Sequence, residues 1–341
     1  MLPLIEERTM TTCKEKLISV LVPMYNEADV IRIFLHRIIP ILDSIGYSYE
    51  IVCVNDGSRD QTLELLVAAH LADPRIKVID LSRNFGKEVA LTAALDFAQG
   101  DAVIPIDADL QDPPELIPVM VEKWQSGYEM VVAVRSERRS DTFGKRFTAA
   151  FFYKVMANVA DTPIPMNAGD FRLMDRKVVE ALRQLPERTR FMKGLFSWVG
   201  FKTAHIRYKR DPRAAGKTKW RYWDLWNLAL EGLFSFTTLP LRIWTYLGAF
   251  LSIFSMFYVI YVVFRTLILG SDVPGYASII VAILFFSGIN LVGLGILGEY
   301  LGRIFIEVKR RPLYVVRDTL GVQEFGMRKA DTCEPSRVNR L

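Results

Sequence analysis

The sequence predicts an α/β domain with a Rossmann-like, doubly wound and mostly parallel sheet, followed by amphipathic interfacial helices and a two-helix transmembrane hairpin. Three observations predict this architecture. Short apolar runs alternate with segments of helical periodicity, two later runs contain no charged residue, and basic residues cluster beside those later runs. With 51% hydrophobic and 24% charged residues among 341, the composition excludes both a disordered chain and a chain made mainly of membrane helices.

Five short apolar runs predict the first strands of the sheet. They are Leu17–Pro23, Tyr49–Asn55, Ile76–Leu81, Ala102–Asp107 and Tyr128–Val134. The intervening segments with apolar residues at helical spacing are Glu27–Ser44, Asp60–Leu71 and Lys87–Ala98. Strands that alternate with crossover helices predict a parallel sheet, whose ligands bind beyond the carboxyl ends of the strands.

The residues that follow the predicted strands are polar and acidic. The sequence has no GxGxxG after the first strand and no GxxxxGK[ST], which removes the main support for a dinucleotide site or a P-loop. A nucleotide site is still indicated, because Asp56 follows the second strand, where its carboxylate can accept hydrogen bonds from a base or a ribose. Gly57 permits a tight turn beside it.

Two carboxylates, Asp107 and Asp109, follow the fourth predicted strand. If the chain turns there, both can reach one divalent cation, and hard oxygen ligands suit Mg²⁺ or Mn²⁺. A solvated acidic turn is the alternative, since charged loops are ordinary surface. The context favours the metal site, because Asp107 ends an apolar strand and Pro113 and Pro114 begin a helix soon afterwards.

Further charged residues are candidates for a site near a membrane. Asp170 lies between a glycine and an apolar stretch at the start of another predicted strand, although an isolated aspartate is also a common helix cap or ion-pair partner. Basic residues form one set after the fifth strand and a second set, with eight Lys and Arg against one Asp, across residues 202–221. Attraction to anionic lipid headgroups explains the second set, and some of its members could also bind phosphates.

Two charge-free runs, Ile243–Phe264 and Val273–Gly298, are long enough to cross a bilayer core, which needs roughly 20 residues. The apolar stretches of buried helices in soluble proteins are usually shorter, about 10–14 residues. The short connection predicts a hairpin, and the flanking Lys and Arg place both of its outer ends in the cytoplasm. Before it, Trp and Leu residues at three- and four-residue spacing predict an amphipathic helix on the membrane surface.

These patterns predict the divisions of the chain. They are an N-terminal extension (1–16), a cytoplasmic domain (17–221), the interfacial helix (222–242), two membrane helices (243–269 and 273–298) and a cytoplasmic C-terminal segment (299–341) that is disordered after about 321. We expect no signal peptide, because the first ten residues include Glu6 and Glu7 and lack an apolar core. The three cysteines are far apart in sequence and form no CxxC, which indicates neither a disulfide framework nor a zinc site.

Five motifs occur in an order that is typical of one enzyme family. They are VPMYNE (Val22–Glu27), VNDGSRD (Val54–Asp60), DxDxQ (Asp107, Asp109 and Gln111), GDFRLMDR (Gly169–Arg176) and AGKTKW (Ala215–Trp220). With these motifs and the hairpin, the chain resembles the polyprenyl-phosphate glycosyltransferases of glycosyltransferase family 2, the group that includes dolichol-phosphate mannose synthase. GDFRLMDR and the later ERTRFM run look most like the bacterial undecaprenyl-phosphate (bactoprenol) glucosyltransferases of O-antigen modification.

The resemblance implies a GT-A fold and a metal-dependent, inverting transfer of a hexose from a UDP-sugar to undecaprenyl phosphate at the cytoplasmic face of a bacterial inner membrane. Glucose is the favoured sugar, and the product would serve O-antigen or cell-envelope glycosylation. Alternatives are another sugar (mannose, N-acetylglucosamine or aminoarabinose), a polysaccharide synthase of the same fold, or a non-enzymatic nucleotide-binding membrane scaffold or flippase partner. Polysaccharide synthases normally carry a QxxRW motif and more spans, and this sequence has neither.

The resemblance also implies roles for individual residues. The implied nucleotide-binding residues are Pro23, Tyr25, Glu27, Asp56 and Asp107. The implied ligands of Mg²⁺ or Mn²⁺ are Asp107, Asp109 and Gln111, and the implied catalytic residues are Asp109, Asp170 and Arg135. The implied acceptor-phosphate residues are Arg135, Lys145, Arg146 and Thr148. Relatives tend to have a serine near the second basic residue, where this sequence has Thr148, Ala149 and Ala150. The loop expected to close over the diphosphate contains Arg213, Lys217 and Lys219.

The implied partners are the UDP-sugar donor, undecaprenyl phosphate and the lipid membrane, with no nucleic acid. Relatives further suggest a homo-oligomer, namely a tetramer, and a functional link to a flippase and a periplasmic glycosyltransferase. The expected location is the inner membrane of a bacterium, as a multi-pass protein with the catalytic domain and both termini in the cytoplasm.

Overall fold

The computed structural model describes residues 16–136, 168–188, 190, 192–208, 239–269 and 275–322. Its strands are β1 (Leu17–Met24), β2 (Ser48–Asn55), β3 (Ile76–Leu81), β4 (Ala102–Pro105), β5 (Met130–Arg135), β6 (Ala168–Asp175), β7 (Thr203–Tyr208) and β8 (Val316–Leu320). Its helices are α1 (Ile31–Ser44), α2 (Thr62–Ala72), α3 (Lys87–Phe97), α4 (Ile117–Gln125), α5 (Arg176–Gln184), α6 (Met192–Trp198), α7 (Leu239–Leu269) and α8 (Tyr276–Lys309). The predicted strands and helices of the first part of the chain are confirmed, with their ends shifted by a few residues.

The eight strands form one sheet in the order β7-β5-β6-β4-β1-β2-β3-β8. β1 pairs in parallel with β2 and β4, and β2 pairs in parallel with β3, as the alternation of strands and helices predicts. β6 is antiparallel to β4 and β5, and β8 is antiparallel to β3. The sheet is therefore mostly parallel. The strand predicted to begin near Asp170 is β6, but its antiparallel direction and the strand β8 are not predicted by the sequence pattern.

Helices cover both faces of the sheet. Successive residues of a strand point to opposite sides, so each strand contributes buried side chains to both layers. Val20 of β1 packs in the same buried layer as Phe34 of α1, whereas the next residue, Leu21, packs in the layer of Leu91 of α3. The first layer also contains side chains of α2 and α4, and the second contains side chains of α5 and α6. The doubly wound arrangement is confirmed, and it leaves the ends of the strands open to ligands.

Two long helices, α7 and α8, follow the first seven strands in the chain. Phe285–Lys309 of α8 is long and apolar enough to cross a membrane, with a mean hydropathy of 1.4, and Ile243–Tyr258 of α7 is a shorter apolar stretch. Trp244 of α7 lies against Gly293 of α8, where an added Cβ atom would overlap the indole nitrogen. The two helices therefore pack together at this glycine.

The chain returns to the sheet after α8. In β8, Thr319 lies opposite Ile79 of β3. Tyr314 donates its hydroxyl to Asp96 Oδ2 of α3 at 2.8 Å, before β8 begins. The sequence pattern predicts neither this strand nor the extension of the second long helix to Lys309. Residues after 322 and most of the predicted interfacial helix (222–242) lie outside the described residues, so the predictions for them remain predictions.

Candidate active site

The carboxyl ends of β1, β2 and β4 lie side by side at one edge of the sheet, because these parallel strands are neighbours. The backbone N–H of Asp56 donates to the carbonyl of Met24 at 2.9 Å. Met24 is the last residue of β1 and separates Pro23 from Tyr25. Pro23, Tyr25 and Asp56, which are three residues of the predicted nucleotide site, therefore lie close together.

The loops that follow β1 and β2 are tied to each other. Asn26, which has a φ of 51°, donates its backbone N–H to Ser58 Oγ at 2.9 Å and accepts the Arg59 N–H on its side-chain oxygen at 2.8 Å. The N–H of Glu27 donates to Thr62 Oγ1, also at 2.9 Å. The segment after β1 that carries predicted nucleotide-binding residues is thus fixed against the loop after β2.

The carboxylate of Asp56 is buried and connects β2 to the loop between β3 and α3. Its two oxygens accept the N–H groups of Phe85 at 2.7 Å and Gly86 at 2.9 Å. Burial raises the pKa of Asp56, although these two hydrogen bonds oppose the shift. The next residue, Gly57, has a φ of 63°, and a Cβ there would overlap the carbonyl carbon of Arg83. Both loops are held in close contact as a result.

The Asp107–Gln111 turn carries the predicted metal ligands. Leu110 has a φ of 56°, and the N–H of Gln111 donates to Asp109 Oδ1 at 3.2 Å, so the chain turns sharply after β4. The side-chain oxygen of Gln111 is buried, and it accepts no hydrogen bond from any described residue. Two carboxylates and an amide oxygen that has no partner among the described residues lie within five positions, and such donors fit a hard divalent cation.

A lysine that the sequence analysis did not select joins two of the predicted site residues. Lys87 is the first residue of α3, and its Nζ lies 2.7 Å from Asp107 Oδ1 and 2.8 Å from Asp170 Oδ2. Loss of solvent alone would lower the pKa of Lys87, but the charges of Asp170 and Asp107 outweigh it and raise the pKa. The position of Lys87, just after the carboxyl end of a parallel strand, is the signal that could have identified it.

Asp170 lies at the start of β6 among positive charges. Burial by itself would raise the pKa of Asp170, but Lys87, Lys193 and Arg172 outweigh burial and hold the pKa below its usual value. Arg172 is buried and donates to the carbonyl of Gly169 at 2.7 Å, and burial lowers the pKa of its guanidinium to about 10. The second oxygen of Asp170, Oδ1, is buried and accepts no hydrogen bond from any described residue. One oxygen is therefore left to accept a bond from a ligand.

Arg135 ends β5 close to the same place. Its Nε donates to the hydroxyl of Tyr208 at 3.3 Å, its Nη2 lies 3.8 Å from Asp112 Oδ1, and a Cβ on Gly169 would be 3.5 Å from Nη2. The Tyr208 hydroxyl also donates to Asp112. Burial and the charge of Asp112 raise the pKa of Tyr208 to about 12. The structure thus brings the guanidinium beside the start of β6.

The remaining predicted site residues lie outside the described part of the chain. They are Lys145, Arg146 and Thr148 of the acceptor-phosphate set, and Arg213, Lys217 and Lys219 of the diphosphate loop. Among the described residues, the structure places Asp107, Asp170 and the guanidinium of Arg135 at one edge of the sheet.

Comparison with known proteins decides which family has this site. Residues 19–183 match the model of glycosyl transferase family 2, and residues 239–304 match the model of the GtrB C-terminal hairpin. An uncharacterized glycosyltransferase of Synechocystis sp. is 54% identical over 312 residues, which are 92% of this chain and 98% of that protein. The chain belongs to glycosyltransferase family 2.

This glycosyltransferase has further relatives that match it over nearly their whole length. The SfII prophage-derived bactoprenol glucosyl transferase of Shigella flexneri is 50% identical over 300 residues, 88% of this chain and 97% of that protein. Among solved structures, glucosyl-3-phosphoglycerate synthase of Mycobacterium tuberculosis with Mn²⁺, UDP and phosphoglyceric acid is 21% identical, with a TM-score of 0.44 over 63% of this chain and 75% of that chain. The family assignment rests on the sequence relatives, and it confirms the resemblance and the GT-A fold class.

Proposed function

We propose that this glycosyltransferase transfers glucose from UDP-glucose to undecaprenyl phosphate, with inversion at the anomeric carbon. The observation that carries the proposal is the 50% identity, over 88% of the chain, to a protein named as a bactoprenol glucosyl transferase. The site supports it, because acidic and amide oxygens lie at the end of β4 and a guanidinium lies nearby. A sugar diphosphate with its metal ion and a lipid phosphate need complementary groups of these two kinds.

On the donor side, Asp107, Asp109 and Gln111 would hold Mg²⁺ or Mn²⁺. Such an ion, when bound, neutralises charge on the departing diphosphate. Among the described residues, no three His, Cys, Asp or Glu side chains form a cation site by themselves. The amide oxygen of Gln111 is therefore part of the proposed donor set, together with oxygens of the nucleotide. In the same proposal, Pro23, Tyr25, Glu27 and Asp56 hold the uridine.

On the acceptor side, Arg135 binds the lipid phosphate, with Lys145, Arg146 and Thr148. A phosphate monoester has a second pKa of about 6, so at neutral pH its oxygen is already anionic and needs no strong base. That oxygen attacks the anomeric carbon while the bond from this carbon to the UDP oxygen breaks. Asp170 orients a hydroxyl of the sugar through Oδ1, and Arg213, Lys217 and Lys219 close over the diphosphate.

The membrane location belongs to the same proposal. α7 and α8 cross the inner membrane as a hairpin, and residues 17–221, the interfacial helix and both termini are cytoplasmic. The active protein is a tetramer. Because the lipid-linked glucose forms on the cytoplasmic side, a flippase and a periplasmic glycosyltransferase must use it for O-antigen or cell-envelope glycosylation.

Transfer to lipid by the purified full chain tests the proposal. The protein in nanodiscs is incubated with undecaprenyl phosphate, Mg²⁺ or Mn²⁺ and a panel of labelled UDP-sugars. We expect label in the lipid fraction from UDP-glucose, and transfer of other hexoses that is slower by about tenfold or more. Faster transfer of another sugar would contradict the choice of glucose, and no transfer from any UDP-sugar would contradict the reaction itself.

A further inference from the structure

Lys87 lies between the proposed metal ligand Asp107 and the carboxylate of Asp170. Its ammonium lies within 2.8 Å of both oxygens of Asp107 and of one oxygen of Asp170. These carboxylates come from the end of β4 and the start of β6, so the contact depends on three separate elements. The Lys87 side chain is 42% exposed and that of Asp170 is 14% exposed, so the ion pair lies where a ligand can reach it.

This contact competes with a divalent cation. A metal ion on Asp107 needs at least one carboxylate oxygen, and both oxygens already face the ammonium group of Lys87. Two cations that share one small carboxylate repel each other strongly at such distances, because the interaction falls only as the inverse of the separation. A metal ion can therefore bind Asp107 only when Lys87 moves away or when additional negative charge arrives.

We propose that the ammonium group of Lys87 occupies the metal site when no nucleotide is bound. Its positive charge weakens the binding of a free divalent ion, so the ion binds together with the diphosphate of the nucleotide. This inference rests on the proposed function, since the diphosphate is that of the sugar donor. The diphosphate brings negative charge for both cations. Asp170 keeps its contact with the ammonium group when Asp107 is released, so Lys87 turns towards the phosphate oxygens and stays in the site.

Binding of Mn²⁺ to the full chain in detergent tests the proposal without any sugar transfer. The signal of free Mn²⁺ in electron paramagnetic resonance gives the Kd for wild type, Lys87→Met and Lys87→Arg, each with and without UDP. Without UDP, we expect Lys87→Met to bind Mn²⁺ about tenfold more tightly than wild type and Lys87→Arg to resemble wild type. With UDP, the Kd of wild type falls by more than that of Lys87→Met.

Two further variants decide where the ion lies. Lys123→Met removes the same charge from the exposed surface of α4, and we expect the Mn²⁺ affinity of wild type. Lys87→Met combined with Asp107→Asn loses the tighter binding. If the double variant keeps it, the ion lies elsewhere and the proposal is wrong. Lys87→Gln, which keeps a polar side chain, replaces Lys87→Met if the latter does not fold.

The outcomes separate this proposal from the proposed function. If wild type binds Mn²⁺ without UDP as tightly as Lys87→Met does, the role of Lys87 is overturned while glucose transfer is untouched. If no variant binds Mn²⁺ even with UDP, the metal site fails and this inference fails with it. If the Mn²⁺ results are as expected but no sugar is transferred, the role of Lys87 holds and the choice of reaction fails.

Discussion

Arg135, which we propose as a ligand of the lipid phosphate, is held in a defined orientation by neighbouring side chains. Tyr208 contacts both its guanidinium and the carboxylate of Asp112, so the three side chains fix one another. We expect Arg135→Ala to raise the KM for undecaprenyl phosphate by about tenfold or more, with a smaller change in kcat, because a charge-assisted contact to the acceptor is lost. Initial rates at saturating UDP-glucose measure this.

Two variants of β7 serve as controls for Arg135. Tyr208→Phe removes only the hydroxyl that orients the guanidinium, and we expect a smaller rise in the same KM. Arg207→Ala removes an exposed positive charge from the same strand and should leave the KM unchanged. A wild-type KM in Arg135→Ala would contradict the role in acceptor binding.

Substitution of Asp109 tests the proposed metal site. We expect Asp109→Ala to abolish transfer, because the ion that neutralises the departing diphosphate loses a carboxylate ligand. Asp318→Ala, an exposed carboxylate of β8, is the control and should keep the wild-type rate. Labelled lipid formed from UDP-glucose measures both rates, and equal activity of Asp109→Ala and wild type would rule out this ligand.

The raised pKa of Glu88 predicts how the stability of the folded chain changes with pH. Burial and the charge of Asp170 raise its pKa from 4.5 to about 7, although its Oε2 accepts the Met192 N–H at 3.1 Å. The folded state therefore holds the proton more tightly than the unfolded state. The resulting stabilisation is complete below about pH 4.5 and is lost as the pH rises through about 7.

We therefore expect Glu88→Gln, which resembles the protonated side chain, to melt at a higher temperature than wild type at pH 8 and close to wild type at pH 5. Glu122→Gln, on the exposed surface of α4, is the matched control and should show no such difference between the two pH values. Thermal melts of the full chain measure both. A lower melting temperature of Glu88→Gln at pH 8 would show that its ionised form stabilises the fold.

The individual site residues differ in how far sequence alone could identify them. Asp107, Asp109 and Asp170 were predicted because a carboxylate next to an apolar strand is visible locally. Lys87 was not, because its partners lie 20 and 83 residues away and only the sheet brings them together. Asp56 is predicted from its place after a strand, but its partners are not, because its carboxylate accepts backbone N–H groups 29 and 30 residues further on.

At the scale of elements, α5 stabilises the end of α3. Arg183 donates to the carbonyls of Leu95, Asp96 and Ala98 at 2.9 Å, and these carbonyls have no partner within their own helix turn. We expect Arg183→Ala to lower the free energy of unfolding by about 2 kcal/mol, since hydrogen bonds from a charged group are lost. Lys177→Ala, exposed on the same helix, should change it little, and thermal melts compare the two.

Among the described strands, the two that the sequence does not predict are the two ends of the sheet. β7 and β8 are its outermost strands, and most of their side chains are partly or fully exposed. The central strands could be predicted because both of their faces are buried, which requires nearly continuous apolar runs. An edge strand needs no such run, so its pairing depends on where distant parts of the chain meet.

At the scale of the whole molecule, the long helices are an insertion between two parts of one sheet. The chain leaves the sheet before α7 and returns after α8 to add β8 beside β3. A second link joins the Arg188 N–H to Glu307 Oε1 of α8 at 2.8 Å. The long helices are therefore connected to the rest of the described chain at two places, β8 and Glu307.

Because β8 pairs with β3 at one end of the sheet, truncation of the chain before β8 should affect β3. Removal of all residues after Pro312 keeps α7 and α8 but deletes β8 and the Arg317 side chain, whose Nη1 lies 3.3 Å from Asp80 Oδ2 at the end of β3. We expect the amides of Val78 and Asp80 to exchange hydrogen faster, because the edge of β3 loses its partner. Truncation after Val322 keeps β8 and should leave these amides protected. Equal protection in both truncated chains would mean that β8 adds nothing to the stability of the sheet.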